Sequence, residues 1–248
     1  HTTPYLLLFL PASLLFYQIT PAKWRSYTLL IFSYFFFWSF SEKLIIYLIG
    51  TTFLTHHICI WMDTMDKRDK RKKRVFQLGI LLLLGTILCL KYRNFFFGNV
   101  SKLAMVLHID WSYQDQLIFL PIGISFYTLS AIGYMADVYW GKVKAEYSLV
   151  KTALFLGFFP VIVEGPICRW EDVEDTLFKN ESVKAENVFK GCYRIIWGLF
   201  KKMIIADRLA VLVDKVYVGY ESYSGAVIVA AAISYTIQLY MEFSGCMD

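Results

Sequence analysis

Long apolar runs recur from one end of this chain to the other, with no polar linker between them. That constrains the fold more than any single motif. A helix that crosses a bilayer needs about 20 mostly apolar residues. Runs near that length, some shorter, cover residues 5–19, 27–40, 44–62, 75–97, 117–139, 149–167, 188–213 and 224–243. The 248 residues are 57% hydrophobic and 18% charged, against roughly 45–50% and about 25% in a soluble domain. Aromatic residues, which favour membrane–water interfaces, make up 18%. The pattern predicts an all-α integral membrane protein, multipass, with residues 1–248 forming a single transmembrane domain.

Several runs are interrupted. Residues 117–139 open with Pro121 and Gly123 and carry Ser125, Thr128, Ser130 and Gly133. Small and hydroxylated residues let helices approach closely in lipid. The run at 149–167 is broken by Pro160, Gly165 and Pro166. Irregular backbone is tolerated at membrane depth only where protein or a watery cavity covers it. Residues 164–169 are therefore expected to form a re-entrant or cavity-lining element.

The net charge of +5 is concentrated. Residues 66–74 read Asp-Lys-Arg-Asp-Lys-Arg-Lys-Lys-Arg, between two apolar runs. The positive-inside rule places this loop in the cytoplasm; docking of anionic lipid or of a carrier protein is the functional alternative. Membrane runs on both sides argue against nucleic acid as a partner. Within 188–213 and beyond, Arg194, Lys201, Arg208 and Lys215 recur every seven residues. Seven residues are nearly two turns, so a regular helix carries all four on one face. That predicts an interfacial helix with its cations at phosphate level, or else a solvated face.

Chemistry-bearing motifs of soluble enzymes are absent: no Walker loop, dinucleotide fingerprint, His-Glu-x-x-His or nucleophile elbow. The five cysteines lack metal-ligand spacing, so neither a structural metal nor a disulfide scaffold is expected. His56 and His57 are adjacent and point about 100° apart on a helix, which suits hydrogen-bonded or interfacial roles. Ionisable groups within spans are costly and mark functional candidates. Asp137, Glu164 and Glu242 are such groups, and Gln238 shares a helix face with Glu242.

Four stretches resemble the membrane-bound O-acyltransferase family in its bacterial branch. They are residues 120–128 (LPIGISFYT), then Phe158-Phe159-Pro160 with Glu164-Gly165-Pro166-Ile167-Cys168-Arg169, then 198–208 (GLFKKMIIADR) and 238–248 (QLYMEFSGCMD). Within the family they look most like the alginate and peptidoglycan O-acetylation proteins.

That resemblance implies acyl transfer through a membrane funnel or tunnel. The donor would be a cytoplasmic acyl thioester, acetyl-CoA or an acyl carrier protein, used as substrate with no bound cofactor. The acceptor would be an extracellular cell-envelope polysaccharide, with an extracytoplasmic acyltransferase as a further partner. Gly165, Pro166 and Arg169 would shape the tunnel. Gln238, Glu242 and Ser244 would lie near the reacting groups. The family's acid–base His follows the 238–248 stretch by several tens of residues, so it is expected beyond Asp248. The fragment by itself is expected to be inactive. D-alanyl transfer to teichoic acid and a non-catalytic transporter or scaffold are the alternatives. The expected location is the bacterial cytoplasmic membrane.

Overall fold

The computed structural model describes residues 4–66, 69–107, 123–163 and 165–248. Its described elements are all helical. Two compact units are distinguished, and each is described by itself. One comprises His1–Val163 and Ile167–Glu181; the other comprises Ser182–Asp248 and Glu164–Pro166.

The first unit starts with a wide π-turn at Tyr5–Phe9 that runs into α1 (Leu10–Ile19), with Pro11 in its first turn. Pro11 lacks the N–H that would bond back to the preceding turn, and it follows directly on the wide turn, where the regular i→i−4 ladder is already interrupted. Then come α2 (Arg25–Ser41), α3 (Ile45–Asp63), α4 (Lys70–Lys91) and α5 (Arg93–Val106). After residue 122 the chain resumes with α6 (Ile124–Trp140), α7 (Leu149–Gly157), the single turn α8 (Phe159–Ile162) and α9 (Trp170–Phe178).

Among the described residues, three helices are long and apolar enough to cross a membrane: α3 and α4 here, and Gly225–Met247 in the second unit. Of the other expected runs, those at 5–19, 27–40, 149–167 and 188–213 form shorter or interrupted helices, and residues 117–122 of the run at 117–139 lie outside the described residues. The run at 75–97 is also redrawn. Its helix starts earlier, at Lys70, where the Asp69 carboxylate accepts from the Arg71 amide at 2.7 Å. Lys and Arg are good helix formers once a cap is in place. It ends at Lys91, before Tyr92 leaves helical geometry.

The interruption at 149–167 falls at Phe158, whose ψ of 114° separates α7 from α8; Pro160 sits in the opening turn of α8. The Phe159 amide freed by this break donates to Ser33 Oγ at 3.2 Å, which in turn donates to Leu29 O. Residues 165–169 follow as irregular backbone, with Gly165 buried.

Two apolar clusters hold this unit. One gathers Cys59 and Met62 of α3, Leu83 of α4, Tyr134 and Met135 of α6, and Trp170 of α9. The other gathers Phe37 of α2, Leu48 of α3, Tyr127 of α6 and Ile162 of α8. Gly123 is required where the second cluster closes. Its φ is +69°, and a Cβ there would lie 1.8 Å from the Ile162 carbonyl oxygen. At the end of the unit Arg25 donates to Asn180 O at 2.7 Å and Ser26 to Asn180 Oδ1 at 2.7 Å.

The second unit holds α10 (Ala185–Phe200), a π-turn at Lys201–Ala206, α11 (Asp207–Val218) and α12 (Gly225–Met247). The first three form one continuous helical path. Much of the outer surface of both units is apolar, with large side chains such as Leu81, Ile196 and Tyr240 exposed. Side chains of this kind suit acyl chains as solvent, and the chain is an all-α membrane protein.

Candidate functional site

The site grows from the helix interruption at Lys201–Ala206. A π-turn closes i→i+5 bonds and accommodates one more residue than an α-turn. This changes the direction in which the side chains before and after it project. Arg208 and Lys215, which follow the turn, are therefore out of register with Arg194 and Lys201, which precede or open it. Lys201 turns inward, with a side chain 17% exposed, whereas Arg194, Arg208 and Lys215 are exposed. The expectation that all four cations lie together at phosphate level is corrected for Lys201.

Inside the unit, Lys201 Nζ donates to Ser244 Oγ at 2.9 Å and pairs with Asp248 Oδ2 at 2.5 Å. Asp248 is 24% exposed. The Trp197 ring lies 6.0 Å from the ammonium and stacks on Phe200 at 5.3 Å. A lysine in an apolar helix is costly unless paired. Here it has an anion, a hydroxyl and an aromatic face.

Two glycines permit this approach. A Cβ on Gly198 would meet the Gly245 carbonyl oxygen at 2.5 Å, and a Cβ on Gly245 would meet the Gly198 carbonyl oxygen at 2.7 Å. The end of α10 and the end of α12 thus touch backbone to backbone, as small residues allow in membrane helices.

The residues expected from sequence divide clearly. Ser244 is in the cluster, as the acceptor for Lys201. Gln238 and Glu242 lie one turn apart on α12, and both are half-buried. The Gln238 Oε1 atom is buried without a hydrogen-bond partner. Gly165 is buried and Pro166 exposed, while Arg169, whose backbone caps α9, is exposed in the first unit. Glu164 and His108 lie outside the described residues. His56 and His57 belong to α3 of the first unit, so no described histidine is part of this cluster.

Sequence reading missed Lys201 and Asp248 as partners and Gly198 as the contact that brings them together. The available signals were a lysine deep in an apolar run and glycines on two such runs.

No family model matches the chain. It is 32% identical over 244 residues to a protein of Pseudomonas aeruginosa named probable alginate O-acetylase AlgI, covering 98% of this chain and 46% of that protein.

This chain is similar to bacterial proteins named as alginate O-acetylases.

The probable alginate O-acetylase AlgI of Azotobacter vinelandii is also 32% identical, over 98% of this chain and 48% of that protein. The peptidoglycan O-acetyltransferase of Helicobacter pylori is 26% identical over 285 aligned positions, 100% of this chain and 52% of that protein. The expected resemblance to the alginate and peptidoglycan O-acetylation proteins is borne out by these relatives. The chain spans about half the length of the curated relatives it matches.

Proposed function

We propose that this chain is part of a membrane O-acyltransferase that moves an acetyl group from a cytoplasmic thioester towards an extracellular cell-envelope polysaccharide. The observation that carries the reading is the similarity, along 98% of the chain, to proteins named as alginate O-acetylases.

The chemistry required is modest in electronic terms. A thioester carbonyl is attacked by a hydroxyl, the C–O bond forms, the C–S bond breaks and the thiol leaves. A base must take the hydroxyl proton, and the developing oxyanion needs a donor. Lys201 is engaged by Ser244 and Asp248, so its proposed role is to hold the end of α12 at a fixed position. Gln238 and Glu242 are then presented from a rigid helix, which is how alignment of reactants is maintained. The buried, unpartnered Gln238 Oε1 is a ready acceptor for a substrate hydroxyl or amide. Acetyl-CoA or an acyl carrier protein is the proposed donor, and an extracytoplasmic transferase the proposed recipient of the acyl group.

The test is complementation. The full natural protein carrying these residues is expressed in a bacterium whose own polysaccharide O-acetylase has been deleted. Alkali-labile acetate on the envelope polymer is then measured. Restored acetate supports the reading. Alkali-labile D-alanine in its place moves the activity to teichoic acid. An unmodified polymer, with the protein present in the membrane, overturns transferase function in favour of a scaffold or transporter.

A further inference from the structure

The start of α4 is charged the wrong way for a helix. Free backbone N–H groups and the helix dipole make an N-terminus favour anions and disfavour cations. Here Lys70, Arg71, Lys72, Lys73 and Arg74 open the helix, and its first turn holds no acidic residue. The Asp69 carboxylate that caps it accepts from the Arg71 amide. Among the described residues, no ion pair, hydrogen bond or aromatic ring engages any of the five side chains. Four of them are exposed, where water serves them. Lys72 is 4% exposed, and it heads the buried stripe of Lys72, Val75, Gly79 and Leu83. A buried ammonium without an anion is costly. Helical side chains tilt toward the N-terminus, which carries the Lys72 stem to the same end of the helix as the arginines.

A second relationship runs along the helix. Arg71, Arg74, Leu78, Leu81 and Leu82 fall within about 100° of one another on a 3.6-residue turn. All five are exposed, Leu81 at 69%. The helix is long and apolar enough to cross a membrane, so the leucines stand at hydrocarbon depth when the first turn is at headgroup level. One face of α4 therefore presents guanidinium groups at its end and leucines directly beyond them, which is the order of head and tail in a lipid.

We propose that the start of α4 binds an anionic phospholipid, its phosphodiester held by Arg71, Arg74 and the Lys72 ammonium and one acyl chain lying along Leu78, Leu81 and Leu82. The guanidinium fork matches phosphate oxygens, and the lipid supplies the counter-charge that Lys72 lacks. A zwitterionic lipid would bring a further cation into a cluster of five. A soluble acidic partner would meet the cations and leave the leucines out. The positive-inside rule requires basic residues on one side of the membrane; it requires neither a buried lysine among them nor arginines in register with exposed leucines. The site stands apart from the acyl-transfer reading and does not depend on it.

The test compares dioleoylphosphatidylglycerol with dioleoylphosphatidylcholine. The full natural protein carrying these residues is purified in detergent micelles containing both lipids, and retained lipid is counted by native mass spectrometry. Phosphatidylglycerol is expected in preference to phosphatidylcholine, and the Arg71→Gln, Arg74→Gln double variant should lower its retention about tenfold or more. Lys23→Gln with Lys102→Gln removes the same charge at two other exposed positions and should leave retention unchanged. Equal retention of the two lipids, or an equal loss in both double variants, overturns the proposal. Lys72→Met supplies a second readout. With phosphatidylcholine it should raise Tm by about 2–4 °C, because an unpaired buried charge is gone, and with phosphatidylglycerol that gain should vanish. A Tm difference that is the same in both lipids overturns the site. So does an acidic carrier protein that binds the natural protein and not the arginine variant while neither lipid is preferred.

Discussion

The Lys201 ammonium lies 2.9 Å from the Ser244 hydroxyl. This contact joins two helices that the chain separates by the whole of α11. It exists because the end of α12 lies close against Lys201, where Gly198 and Gly245 let the two backbones meet.

Replacing Lys201 by methionine removes the partner of both Ser244 and Asp248. The pair is partly exposed at 17% and 24%, which weakens its electrostatic share. The expected loss is about 1–3 kcal/mol, mostly from the polar groups left unpaired. Unfolding in detergent measures it. Combining Lys201→Met with Asp248→Asn should recover part of the loss. An additive double variant would show that the two side chains are not coupled.

Gly198→Ala should force the ends of α10 and α12 apart, because the new methyl would stand 2.5 Å from a carbonyl oxygen. Overpacking of this kind costs about 1–3 kcal/mol. In contrast, a Cβ on Gly191 meets nothing within 4 Å. Gly191→Ala on the same helix should stabilise by roughly 0.5–1 kcal/mol. The pair of variants separates steric from helix-propensity effects by the sign of ΔTm.

At Gly123 the constraint is stronger. The φ of +69° disfavours any side chain, and the methyl of alanine would overlap the Ile162 carbonyl. Gly123→Ala is expected to cost more than about 3 kcal/mol, combining strain and overlap. The readout is the yield of folded, monodisperse protein from membranes. A normal yield with unchanged Tm would remove Gly123 from the packing of α6 on α8.

Cys168 sits between α8 and α9, where burial, and to a smaller degree the Asp172 carboxylate, push its thiol above the ordinary value. Only the thiolate is nucleophilic. Alkylation of Cys168 should therefore be slower than that of a free cysteine at neutral pH and should accelerate only at more alkaline pH. Asp172→Asn removes one negative charge and shifts the rate profile to lower pH. Rates are read in a variant with Cys89, Cys192 and Cys246 changed to serine. An unmoved profile would leave burial as the sole cause.

The Ile45–Asp63 and Gly225–Met247 helices were legible as apolar runs because span length and composition are local properties. The interruption near Pro160 was legible too, although the backbone breaks at Phe158, ahead of the proline that opens α8. Gln238 and Glu242 could be placed on one helix face from their spacing alone, whereas Ser244 lies past the expected run and the helix carries on to Met247.

Sequence by itself determined a helical membrane protein, the glycines and prolines that interrupt it, and the family it resembles. Tertiary structure alone decided that Lys201 leaves its row to meet Asp248, and that Thr55 faces inward without using its own helix carbonyl. The physical reason is the range of the interactions. Helix formation and apolar run length depend on residues within a few turns, whereas a partner supplied by another helix depends on how closely the backbones approach.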